Sequence, residues 1–166
     1  MSGIDSSDST ADSGGGRPFE LDLSQDVCDR ATRLARTLFG AVESQVVLVK
    51  DGRTWRSRDP HGTYAIATNV QWSLDTGEFL WIEDGREDPR SAQMDAVTGP
   101  PYLRFYAAAV IRLADGSIPG VICVMGQEVR PYDSSLANRL TDLAAFIADE
   151  WDRAQATKAR EQGRRE

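Results

Sequence analysis

Histidine is nearly missing from this chain, with His61 alone, and cysteine is scarce, with only Cys28 and Cys123. Metal centres generally combine several His, Cys or carboxylate ligands at fixed spacings. No such cluster occurs here, so neither a metal nor another cofactor is expected. The lone histidine offers no Ser/His/acid arrangement, and the plentiful carboxylates do not pair for acid/base work. The chain therefore reads as non-enzymatic. His61, between Pro60 and Gly62, reads as a surface turn residue. Two isolated thiols in an acidic chain fit the reducing cytoplasm. They are expected to be small buried hydrophobes, Cys28 in a helix and Cys123 in a central strand.

Long apolar runs are also missing. None approaches the roughly 20 residues needed to span a bilayer, so no membrane partner is expected. The N-terminal MSGIDSSDSTADSGGG has neither a basic start nor an apolar middle and is not a signal peptide. Its composition buries too little apolar surface to offset ordering entropy, and residues 1–18 read as a disordered acidic Ser/Gly-rich tail. The chain is short of basic residues overall, with a formal charge of −7. That argues against a nucleic-acid partner, which requires a clustered basic face.

What is present suits one domain with a real core: 166 residues, 40% of them hydrophobic. The domain is placed at 19–154, and 155–166 reads as a charged extension of the last helix or a tail. Ser24 is a candidate cap for a first helix, with Val27, Ala31, Leu34 and Leu38 on one face and Gly40 at its end. Val46 to Val49, the Asp51-Gly52 turn and Arg53 to Arg58 around Trp55 read as a hairpin. Residues 59–76 read as a short helix or an ordered loop against the core. Glu78 to Glu83 reads as a strand. Arg104–Leu113 and Ile118–Met125 flank a second hairpin turn at 114–117. Both are apolar on two faces, as in the centre of a sheet covered on both sides. Asp133 is placed to cap a long amphipathic helix carrying Leu136, Leu140, Leu143, Ile147, Trp151 and Ala154. The terminal helices also suggest a homodimer through Leu34, Leu38, Leu140, Ile147 and Trp151.

The segment DPRSAQMDAVTGPPYLRFYAAAVIR begins at Asp88. Asp88-Pro89 resembles a helix start, and Gly99-Pro100-Pro101 a stop. A helix this short survives only by packing on the sheet. In the strand that follows, Phe105, Ala107, Ala109 and Ile111 share one face, and Tyr106, Ala108, Val110 and Arg112 the other. The alanines leave room at mid-strand on both faces.

These residues carry a family resemblance. WIEDGREDPR, the run AVTGPPYLRFYAAAVIRLADGSIPGVICVM, the Trp-bearing TWRSR and the terminal helix resemble a GAF domain over roughly residues 22–154. The resemblance is to bacterial GAF domains at the front of sensor histidine kinases and cyclic-di-GMP signalling proteins. It implies an α+β fold, GAF-like and PAS-related: a central antiparallel sheet, N- and C-terminal helices on one face and a short lid helix over a ligand pocket on the other. The implied function is cytoplasmic sensing of a small molecule or partner in two-component or cyclic-di-GMP signalling, relayed by the terminal helix to an output protein. No kinase, cyclase or DNA-binding output follows within the chain, so the output is another protein or the chain is a piece of a longer one. Candidate ligand-binding residues are Trp72, Trp81, Asp88, Arg90, Met94, Tyr106, Ala108 and Cys123.

The chain departs from several family patterns. TYAIATNVQWSLDTGE lacks the Ser-Phe-Cys-like motif of many relatives. No cysteine lies where bilin-binding members attach their chromophore, and the Asn-Lys…Phe…Asp-Glu signature of cyclic-nucleotide binders does not occur. Cys28 and Cys123 do not reproduce the cysteine spacing of the free methionine sulfoxide reductases. Besides sensing, two alternatives remain at this level: a non-sensing dimerisation module and a reductase of that type.

Overall fold

The computed structural model describes residues 23–40 and 43–165. The tail expected at 1–18 lies outside them. Helix α1 spans Gln25–Phe39, and the Ser24 side chain accepts from Val27 N at its start. Strands β1 (Glu43–Lys50), β2 (Arg53–Arg56) and β3 (Asp59–Tyr64) follow, then α2 (Thr68–Thr76) and β4 (Leu80–Ile82). A short α3 (Asp95–Thr98), the long strands β5 (Phe105–Ile111) and β6 (Gly120–Gly126), and α4 (Ser134–Arg165) complete the chain. The six strands form one antiparallel sheet in the order β3-β2-β1-β6-β5-β4.

Strand alternation sorts the side chains onto two faces. Val46, Leu48, Trp55, Phe105, Ala107, Ala109, Ile111, Ile122 and Val124 pack under α1 and α4. Val47, Leu80, Ile82, Tyr106, Ala108, Val121 and Cys123 face the other side, against Val70 of α2. β5 and β6 are buried on both faces, as their two-sided apolar pattern requires.

The irregular region at 59–76 resolves into β3 and α2. β3 is the sheet's edge strand, where Pro60 removes no needed hydrogen bond. His61 is exposed on this strand, so its placement in a turn is corrected. The helix expected from Asp88 does not form there. The Asp88 carboxylate accepts from the Arg90 backbone N–H and turns the chain tightly, and Met94 is extended (φ −70°, ψ 140°). Helical structure begins only at Asp95. The Gly99 stop holds, and the Pro100–Pro101 peptide is cis.

Two of the five residues expected at a dimer interface belong to the core instead. Leu140 and Ile147 are fully buried beneath α4, and Leu38 and Trp151 pack partly against the same core. Only Leu34 is exposed, at 52%. The buried stripe of α1 runs through Cys28, Ala31, Thr32, Ala35 and Phe39. The small residues win because α1 packs on both the sheet and α4, and close approach favours them. Leu140→Ala is therefore expected to cost about 3 kcal/mol, whereas Leu34→Ala stays within about 0.5 kcal/mol. Urea denaturation of the two variants measures both. Equal costs would overturn this division of the helix faces.

Candidate functional site

A cavity of about 140 Å³ lies on the sheet face opposite α1 and α4. Its floor is the sheet: Gln45 and Val47 of β1, Thr54 and Arg56 of β2, Tyr106 of β5, and Cys123 and Met125 of β6. Alternate residues of adjacent strands point the same way, and the register sets Val47 opposite Arg56 and Gln45 opposite Cys123. Its roof is α2 with its lead-in, through Ala67, Asn69 and Val70, and the α3 segment, through Met94, Ala96 and Leu103.

The roof is pinned from outside the cavity. Arg90 Nε and Nη2 donate to the two Asp88 carboxylate oxygens at 2.9 and 2.6 Å. This pair holds the Asp88 carboxyl below its ordinary range, first through the Arg90 side-chain hydrogen bond. The Arg90 guanidinium also sits 4.7 Å from the Trp72 ring centroid, tying the Asp88 turn to α2. Ser91 Oγ donates to Gly85 O at 2.8 Å, and Arg104 Nη1 donates to Val97 O at 3.0 Å.

The floor combines one cation, Arg56, with the polar groups of Gln45, Thr54, Tyr106 and Cys123. The Tyr106 hydroxyl is buried, and no oxygen or nitrogen among the described residues partners it. Its polar neighbour is the Cys123 sulfur; burial first, and that neighbour second, raise the phenol well above its ordinary range. The Cys123 thiol donates to Gln45 O at 3.5 Å, and burial pushes it up to about 11. Both groups therefore stay protonated at neutral pH. Arg56 stacks on the Tyr64 ring at 4.2 Å and makes no ion pair among the described residues. The Tyr64 hydroxyl engages the nearest carboxylate along the strand, Asp59. Asn69 Oδ1 accepts from Val70 N at 2.9 Å, which leaves its amide N–H groups as donors.

Of the eight residues expected at the pocket, Met94, Tyr106 and Cys123 line this cavity. The others are placed elsewhere. Trp81 is on the opposite face, packed with Phe39 and Phe105, and its Nε1 donates to Arg130 O. Its partner across the sheet is Ala107, which makes room for the indole on the helix side. Ala108 shares the cavity's face but is covered within the Val70–Leu80 cluster. Trp72, Asp88 and Arg90 form the outer brace. Sequence reasoning missed Arg56, Thr54, Gln45 and Asn69. The period-two pattern of RTWR already set Thr54 and Arg56 on one face, opposite Trp55.

Among the described residues, no group of three or more His, Cys, Asp or Glu side chains is placed to hold a metal ion. Cys28 lies under the terminal helices and Cys123 beneath the cavity, on opposite faces of the sheet.

A six-stranded antiparallel sheet with terminal helices on one face and a roofed cavity on the other defines a small α+β module. The GAF domain family model matches residues 24–151, and the chain belongs to that family. No curated protein matches it in sequence. Its fold is shared with the blue-light-absorbing PixJ GAF domain of Thermosynechococcus elongatus, with TM-score 0.69 at 11% identity over 84% of this chain and 90% of that one. A domain of a putative two-component sensor histidine kinase from Sinorhizobium meliloti 1021 gives TM-score 0.61 at 12% identity, covering 83% and 96%. The type II free methionine-R-sulfoxide reductase of Thermoplasma acidophilum gives 0.60 at 10%, covering 80% and 95%. At these identities the likeness is one of fold.

Proposed function

We propose that this GAF domain is a sensory module of bacterial signal transduction that binds a small molecule in the cavity over β1, β2, β5 and β6. The observation that carries this is a roofed cavity lined by Tyr106, whose buried hydroxyl has no oxygen or nitrogen partner among the described residues. An unsatisfied buried donor costs about 1–3 kcal/mol, which a ligand oxygen recovers. The output route is α4, which packs on β5 and β6 through Leu140, Ala144 and Ile147. It then continues as a single helix to Arg165, exposed from Gln155 onward. β5 carries Tyr106 on the cavity side and Ala107 and Ala109 on the α4 side, so a ligand-dependent strand shift reaches the helix directly. Signalling then requires that ligand favour one of two α4 placements. The recipient is a partner protein, or a second copy meeting α1 and α4 at exposed Leu34 and Phe146. No helix among the described residues is long and apolar enough to cross a membrane, in keeping with a role in the cytoplasm.

A regulatory role is favoured over reductase chemistry by the two thiols. Both are protonated, with burial pushing Cys28 up to about 12, and the sheet separates them. The thiolate is the reactive species in such chemistry.

Native mass spectrometry and a thermal-shift screen of small metabolites test the proposal. A ligand at about 100 times its Kd adds about 2.7 kcal/mol, which raises Tm by several degrees in a domain of this size. The expected result is at least one stabilising compound whose effect disappears in Ala96→Trp, which plugs the cavity. No stabilising compound, an undiminished shift in Ala96→Trp, or turnover of free methionine sulfoxide would each overturn it.

A further inference from the structure

The chemistry of the cavity wall selects among ligands. Arg56 brings a guanidinium to the floor, with no carboxylate paired to it among the described residues. The Tyr106 hydroxyl, on the same floor, has no oxygen or nitrogen partner among the described residues, and the Asn69 amide keeps its N–H groups as donors on the roof side once Oδ1 is taken by Val70 N. No Asp or Glu is among the described residues lining the space. A cationic, carboxylate-free wall favours an anion. The rest of the lining, including Val47, Val70 and Met94, is apolar, and there is one cation. A phosphate dianion would be left undercompensated and in contact with apolar carbon. A carboxylate matches one guanidinium in charge and in planar, two-point geometry. The size suits a small ligand: the cavity of about 140 Å³ compares with roughly 150 Å³ for one that holds a benzene, about six non-hydrogen atoms.

We infer that the cavity takes a small aliphatic monocarboxylate, its carboxylate held by Arg56 and the Tyr106 hydroxyl and its short chain lying against Val47, Val70 and Met94. This rests on the proposal that the cavity is a ligand site. Because Tyr106 is on β5, the carboxylate head is recognised on the strand that carries α4 on its other face.

Isothermal titration of the whole chain with butanoate, its neutral isostere butanamide, and inorganic phosphate decides the matter. Butanoate is expected to bind with Kd on the order of 1 mM, in keeping with its few atoms, and at least tenfold more tightly than butanamide or phosphate. Arg56→Met is expected to reduce butanoate affinity to that of butanamide. Tyr106→Phe should lose roughly tenfold, the cost of one hydrogen bond to a charged acceptor. Arg139→Met, which removes the same charge from exposed α4, leaves affinity unchanged. Circular dichroism melts confirm that each variant is folded, and Tyr106→Phe keeps the ring packing should Arg56→Met fail to fold. Equal binding of butanoate and butanamide overturns the carboxylate assignment and leaves the cavity standing as a ligand site. Tighter binding of phosphate, full affinity in Arg56→Met and Tyr106→Phe, or no binding of butanoate at ~10 mM, ten times the expected Kd, overturns the assignment as well. Undiminished butanoate binding in Ala96→Trp overturns the location itself.

Discussion

Gly120→Val is expected to abolish folding at 25 °C, and Gly120→Ala to cost at least about 3 kcal/mol. Gly120 sits opposite Leu48 where β6 pairs with β1, at the centre of the sheet. A Cβ there would meet Val47 O at 2.0 Å, Leu48 Cα at 2.9 Å and Leu48 Cδ2 at 3.0 Å. The first two contacts are backbone and cannot rotate away. Either β1 separates from β6 or β6 leaves register, and both disrupt the two hydrophobic layers at once. A domain stabilised by about 5–15 kcal/mol does not tolerate a branched side chain at that point. The control is Gly163→Ala on α4, where a Cβ meets nothing within 4 Å. That change is expected to be neutral or to gain up to about 1 kcal/mol of helix propensity. Guanidinium melts of the three variants against the parent measure the contrast, and a Gly120→Ala variant as stable as the parent would refute the close approach.

What could be read in advance follows from how far each signal depends on partners. Strand alternation in RFYAAAVI is local, and the split of Phe105, Ala107, Ala109 and Ile111 from Tyr106 and Ala108 appears as expected. The caps Ser24 and Asp133 are local too, and both accept from the first turn. Other features depend on what lies across the sheet. In LWI, alternation separates Trp81 from Leu80 and Ile82 but does not say which side faces the cavity. The pairing with Ala107 and the ring of Phe39 decide it. On α1, Leu34 looks as apolar as Ala31 and Ala35, yet it is the two alanines that are buried in the core and Leu34 that is exposed. Leu140 and Ile147 resemble a seam, and the sheet takes that seam before any second chain does. Arg56 was hidden for a different reason. A charged residue on a strand normally marks the solvent face, and here that face is roofed by α2 and the Met94 segment.

The second large effect is alkaline destabilisation carried by the two thiols. Cys28 and Cys123 are both buried, and burial raises them from the ordinary 9.0 to about 12 and about 11. Above pH 9 the unfolded chain releases these protons while the folded chain keeps them, so unfolding is increasingly favoured as pH rises. Their contribution is fully present below pH 9, falls as pH rises, and is lost once pH passes the folded values. At about 1.4 kcal/mol per pH unit for each thiol, the loss between pH 8 and pH 10 amounts to about 3 kcal/mol. Lysine and tyrosine titration acts over the same range, so the readout is a difference. Urea denaturation at pH 8, 9, 10 and 11 is expected to show a steep decline in the parent. Cys28→Ala and Cys123→Ala should each be less stable at pH 8, from the lost packing, and should each decline less steeply above pH 9. The same burial predicts that neither thiol reacts with Ellman's reagent in the folded domain at pH 8, and that both react in urea. Parallel pH slopes for the parent and both variants would show that the thiols ionise as freely in the folded domain as in the unfolded chain, contrary to their burial on opposite faces of the sheet.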